Sequence, residues 1–213
     1  MRKVADIVAQ ALSILCYPLF IPTYGMALFC YAYRTQVLPL STAWIAVAIA
    51  GTFLLTCVIP LTAILIMVRR GDIKNLYIEN ASERTVPYLY TTLSFAFWSY
   101  LLIAILHAPL YINVVAIGAT VAIGIVTLIN RQWKISAHLS AMGGLFGGIM
   151  SYCIGIGAIP TWGTMVLWLG LILLLMYARL WLNAHTPAQV VCGLLLGISC
   201  TFIPTWLVLY VLA

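Results

Sequence analysis

An arginine and a histidine, Arg179 and His185, stand six residues apart in a stretch where almost every neighbour is apolar. A cation at the edge of a hydrophobic segment needs a partner or a task. A guanidinium offers a permanently charged fork suited to phosphate oxygens, and an imidazole can serve as acid, base or nucleophile near neutral pH. Two further groups share this character. Ser136 and His138 head one apolar run, and Arg84, with Lys74 ten residues before it, heads another. These are anion-binding groups with acid–base capacity, the set that holding a phosphoryl group requires.

Local signals place both histidines at helix starts. Ser136 precedes an apolar run and fits an N-cap, which puts His138 in the first turn, where unpaired N–H groups and the positive dipole end favour an anion. Thr186-Pro-Ala-Gln189 fits a capping box, with Thr186 as N-cap, Pro187 at the first helical position and Gln189 at the third. His185 then lies just before a second helix N-terminus.

The elements that must position these residues are membrane spans. The chain has 213 residues, 65% hydrophobic and only 7% charged, whereas a soluble domain carries roughly a quarter charged residues. The expected fold is all-α, a polytopic transmembrane bundle of six to seven spans forming a single domain over residues 1–213. Stretches of about 20 apolar residues between polar breaks fall at about 7–33, 41–68, 88–107, 110–129, 139–158, 161–182 and 187–212. The N-terminal Met1-Arg-Lys and its apolar run show no small-residue cleavage site, so the first segment is expected to be a retained span. The six cysteines fall inside apolar runs without a C-x-x-C pair and are expected to act as small buried hydrophobes. Ten Lys and Arg face only Asp6, Asp72, Glu79 and Glu83. Because the basic residues sit between apolar segments, loop topology or an anionic ligand explains them, and nucleic acid does not.

Parity supplies the main inference. Three polar islands, at 69–87, 131–138 and 177–189, are separated from one another by two spans each, so all three emerge on the same membrane face. His107 falls on the opposite face beside Pro109, as an interfacial residue. Gly143, Gly144, Gly147 and Gly148 in one span, and Gly193 and Gly197 in the last, allow close helix approach that would draw the islands together. Arg2, Lys3, Arg69 and Arg70 lie on the island face against Arg34 on the other, which places the islands in the cytoplasm by the positive-inside rule.

The spacing resembles that of the type-2 phosphatidic acid phosphatase superfamily, whose three motifs read K-x6-R-P, P-S-G-H and S-R-x5-H-x3-D. Ser136-Ala-His138 matches the core of the second. Arg179, five residues and His185 match the third as far as its histidine, and Arg84-Thr-Val-Pro87 loosely resembles the end of the first. The match covers about residues 74 to 193, within a family-like core of about 70–213, and leaves the spans in 1–69 outside it. The resemblance implies an integral protein of a bacterial inner membrane that hydrolyses a lipid phosphate or pyrophosphate without metal or cofactor. It implies His185 as nucleophile, forming a phosphohistidine, and His138 as the acid for the leaving alcohol. Arg84, Arg179, Ser136 and Lys74 would bind the phosphoryl oxygens.

The departures define what structure must settle. Lys74 stands ten positions before Arg84 where the family has seven, and Tyr77 takes the lysine position. Ile135 replaces the motif proline, and Ala178 replaces the motif serine. Gln189 stands where the family has an aspartate supporting the nucleophilic histidine. An amide in the analogous place of a serine-protease triad costs about 10⁴ in kcat. Three readings of Gln189 stay open: a weaker orienter, a bystander to a charge supplied by Glu83 or Glu79, or a capping residue in a protein with little activity. A lipid phosphotransferase using the same histidines, and a non-catalytic lipid-binding or transport protein on the same scaffold, are the alternatives to a phosphatase.

Overall fold

The computed structural model describes residues 2–36, 40–74, 82–155 and 161–212, and among them there are eight helices and no strand. They are α1 (Arg2–Leu15), α2 (Ile21–Gln36), α3 (Thr42–Arg70), α4 (Thr85–Ala104), α5 (Leu110–Asn130), α6 (Ala137–Gly155), α7 (Trp162–Trp181) and α8 (Pro187–Leu212). Six of them, α3 to α8, are long and apolar enough to cross a membrane. The chain is thus an all-α, polytopic integral membrane protein. Tyr77 and Glu79 lie outside the described residues.

The first segment departs from expectation. In place of one span over 7–33, the chain breaks between α1 and α2. Proline explains this: Pro18 has no N–H to give a continuing helix, and it pushes Tyr17 away from helical backbone angles. The chain turns tightly instead, with Tyr17 N–H on the Ile14 carbonyl and Phe20 N–H on the Tyr17 carbonyl. With 14 residues, α1 is about 21 Å long, short of the ~30 Å hydrocarbon core. It packs on α7 through buried Ala9 and Ser13 and leaves Val4, Ile7, Val8, Ile14 and Leu15 exposed. The Trp181 indole N–H donates to Asp6 Oδ1 at 2.8 Å, so α1 lies across the end of α7. The 16 residues of α2 then run to the opposite end of the bundle. There, near the start of α3, the Trp44 indole donates to the Leu106 carbonyl at 2.9 Å.

Halfway along α3 the helix widens to a π turn over Leu54–Val58, with the Ile59 N–H reaching the Leu54 carbonyl. Pro60 follows at once. A proline ring clashes with the carbonyl four residues back, here that of Thr56, and a single wide turn absorbs the clash without ending the helix.

The centre of the bundle is the pair α6 and α8, whose contact is the most extensive among the described residues. They run parallel, because Ser136 meets Gln189 and Gly193 at one end while Gly147 meets Ile198 and Thr201 further along. A Cβ on Gly193 would come within 2.5 Å of the Ser136 carbonyl oxygen, and one on Gly197 would collide with the Ser140 carbonyl. Only glycine allows this backbone-on-backbone approach. The Thr201 hydroxyl reinforces it by donating to the Gly144 carbonyl at 2.9 Å. Outside the pair, α5 closes on α8 at Gly118, and α4 joins α5 through the Thr92–Thr127 and Ser99–Thr120 hydroxyl pairs.

Substitution separates a packing glycine from an idle one. Gly197→Ala is expected to destabilise by about 1–3 kcal/mol, since the obstacle is backbone. Gly170→Ala on α7, with nothing within 4 Å, is expected to be neutral or to gain up to about 1 kcal/mol. Thermal unfolding of the purified variants in one detergent measures both.

Candidate functional site

The parallel α6–α8 pair brings two helix starts side by side. The Ser136 N–H donates to the Gln189 carbonyl at 3.2 Å, tying the island before α6 to the first turn of α8. The expected capping box forms in full. Gln189 Oε1 accepts the Thr186 N–H at 3.0 Å, and Thr186 Oγ1 accepts the Gln189 N–H at 3.4 Å. Ser136 takes the N-cap position, its carbonyl accepting the Ser140 N–H at 3.0 Å. Its hydroxyl, however, does not cap. Backbone contact with α8 sets the orientation of Ser136, and its Oγ is buried without a hydrogen-bond partner.

His185 is nearly enclosed, 9% exposed, in the link between α7 and α8. Its Nδ1 lies 3.2 Å from the Lys134 carbonyl and 3.3 Å from Gln189 Oε1. Both are acceptors, so Nδ1 carries the proton and Nε2 keeps its lone pair. Burial, with the charges of Arg179, Arg84 and Lys134 around it, pushes this imidazole down to about 4, against a smaller upward pull from the Lys134 carbonyl. At neutral pH the group is uncharged and nucleophilic at Nε2.

Arg84, only 7% exposed, donates to the Tyr88 hydroxyl one turn on and acts electrostatically on both His185 and Arg179. Arg179 donates through Nη1 to the Ser13 hydroxyl at 3.1 Å, and its Nε is buried without a partner. Two half-buried or buried guanidinium groups within each other's field repel, and an anion between them relieves both. His138 points Nε2 at the Ser13 carbonyl at 3.1 Å and packs edge-on against the Tyr17 ring, with centroids 5.7 Å apart. It shares the field of Arg179, His185 and Arg84.

The structure therefore gathers Arg84, Ser136, His138, Arg179, His185 and Gln189 at one end of the bundle. Lys74 is exposed, and its backbone N–H reaches Oε2 of Glu83, the residue before Arg84, at 3.4 Å; the third cation acting on His185 is Lys134. Gln189 is both capping residue and orienter, because one amide oxygen serves both bonds. His107 sits exposed in the α4–α5 link with a left-handed φ of 45°. Sequence reasoning missed Ser13, which bonds His138 and Arg179 from 125 and 166 residues away, as well as Tyr17 and the Lys134 carbonyl. The Tyr17-Pro18 break was the available signal for the N-terminal pair.

Fold and site define an integral membrane helical bundle with a basic, histidine-bearing cluster at one end. No protein-family model, curated protein or solved structure matches the chain.

The lowered His185 pKa carries a sign. Between its ordinary 6.5 and about 4, the unfolded chain binds a proton that the folded protein refuses. Stability is therefore full above 6.5 and falls as pH drops through that window, by up to about 3 kcal/mol. Denaturant titrations across this range are expected to show the loss, and His185→Gln to flatten it. Gln189→Glu keeps an acceptor for the cap and adds charge at Nδ1. It is expected to raise the His185 pKa and narrow the window.

Proposed function

We propose that the protein is a phosphatase of the type-2 phosphatidic acid phosphatase kind, hydrolysing a lipid phosphate or pyrophosphate monoester through a phosphohistidine. The observation that carries the reading is His185, uncharged, held through Nδ1, and within the electrostatic field of Arg179 and Arg84 at the paired starts of α6 and α8. The phosphoryl oxygens take the two guanidinium groups and the Ser136 hydroxyl. The His185 Nε2 lone pair then forms a bond to phosphorus as the bond to the lipid oxygen breaks. With the phosphate dianion beside it, His138 holds two protons and gives one to the departing alkoxide. Water next attacks phosphorus and breaks the P–N bond, while His138 takes the water's proton. This regenerates His185.

Gln189 supports the step with a dipole. A phosphorylated Nε2 with a protonated Nδ1 is cationic, and the Lys134 carbonyl and Gln189 amide oxygen stabilise it less than a carboxylate would. The chemistry calls for neither metal nor cofactor. We place the protein in a bacterial inner membrane with the cluster on the cytoplasmic side. Arg69 and Arg70, at the end of α3, support that side.

Phosphate release from a panel of lipid phosphates, with and without chelator, tests the reading. His185→Ala is expected to lower kcat by at least about 10³-fold and His138→Ala by about 10²–10⁴-fold. Activity that survives His185→Ala sinks the mechanism, and loss on chelation argues for a metal. Phosphate recovered on a second lipid makes the protein a phosphotransferase, and binding without release makes it a lipid-binding protein. Glu83→Ala is expected to leave the rate intact, while Gln189→Ala lowers it. For sidedness, Arg70→Cys is expected to resist an impermeant thiol reagent in intact cells and to react once they are broken.

A further inference from the structure

A cavity of about 120 Å³ runs inside the bundle, walled by α2, α3, α4, α5, α6 and α8. One end adjoins the cluster. Ala137 and Ser140, on either side of His138, line it, as does Pro18, next to the Tyr17 ring that packs on His138. Along α5 the lining extends from Ile112 to Val126, about 21 Å of helix rise and some two-thirds of the hydrocarbon thickness.

The walls suit hydrocarbon. Phe29, Phe95, Trp98 and Leu145 form much of them, and among the described residues no charged side chain lines the space. The threonines there have already spent their hydroxyl protons. Thr52, Thr56, Thr91 and Thr120 each donate to the carbonyl four residues back, and Thr201 donates to Gly144. Water needs two to four polar partners in a buried site, and these walls offer it little. A hydrocarbon chain gains dispersion contact along the whole length. So small a volume drawn out so far admits one chain in width and has no room for a second or for a headgroup.

We propose that this cavity receives the single hydrocarbon chain of the phosphate monoester whose head sits among Arg84, Arg179 and His185. The substrate class is then a one-chain phosphate, acyl or isoprenyl, in preference to a two-chain diacyl phosphate. This rests on the phosphatase reading, since that reading puts the head at the cluster. The chain threads the protein interior rather than lying in surrounding lipid.

Two measurements on the full-length protein in nanodiscs test it. In the first, a long-chain alkyl monophosphate with a diazirine at its chain end is photolysed and the label mapped. Label near Phe29, Trp98 or Ile112 is expected, and label confined to outward residues such as Leu167 and Leu173 overturns the proposal. In the second, monoalkyl, isoprenyl and diacyl phosphates are compared with a short water-soluble monoester. Ala119→Phe, which places a ring in the cavity wall, is expected to lower the ratio of long-chain to short-chain turnover by at least about tenfold. Ala119→Val gives a smaller fall should the larger ring prevent folding.

Preference among the single-chain substrates tells acyl from isoprenyl. Equal turnover of one-chain and two-chain phosphates, unaffected by either variant, sinks the cavity assignment and leaves the phosphatase reading intact. Label in the cavity with no phosphate release from any substrate does the reverse.

Discussion

Everything at the candidate site depends on how closely α6 and α8 approach. Lipid gives helices little hydrophobic reason to associate, so packing and hydrogen bonds between backbones must do it. The glycines of both helices bring carbonyl oxygen against Cα, and the Ser136–Gln189 backbone bond sets the register at the end that matters. With any side chain at Gly193 or Gly197 the two helix starts would separate. His185 would then lose the Lys134 carbonyl, and the positive ends of two helices would no longer face one place.

The register has an electrostatic result. His185 is buried and sits among cations, a setting that disfavours its charged form and keeps it a base. Bond acceptors rather than a carboxylate fix its tautomer. A neutral anchor stabilises an imidazolium less than a charged one would, but it leaves the surrounding positive field undiminished for an anion. The uncharged Gln189 and the enrichment of cations, with Lys134 joining Arg84 and Arg179, belong to one electrostatic arrangement.

Much of this was legible in the sequence, for physical reasons. Apart from the first, span limits were close to the helices observed, since charged islands cannot sit in hydrocarbon without cost. Parity brought the islands to one end, and Thr186-Pro-Ala-Gln189 declared its cap because capping is a local bond. The N-terminal segment misled because counting apolar residues ignores what Tyr17-Pro18 does to backbone geometry. Ser13 was invisible, its partners being reached only through folding. Gln189 was seen as a choice between roles, whereas a single oxygen atom with two lone pairs could fill both.

The contact between α1 and the cluster passes through one residue. Ser13 offers its carbonyl to His138 and its hydroxyl to Arg179, so the two bonds share a single point of purchase. Every residue of α1 has a carbonyl, but Leu12 and Ile14, the immediate neighbours, have no hydroxyl. The carbonyls on either side are also engaged, that of Leu12 by the Cys16 N–H and that of Ile14 by the Tyr17 N–H. Sliding α1 by one position would therefore cost His138 its acceptor as well as Arg179 its hydroxyl, and the histidine and the arginine together fix the axial position of α1.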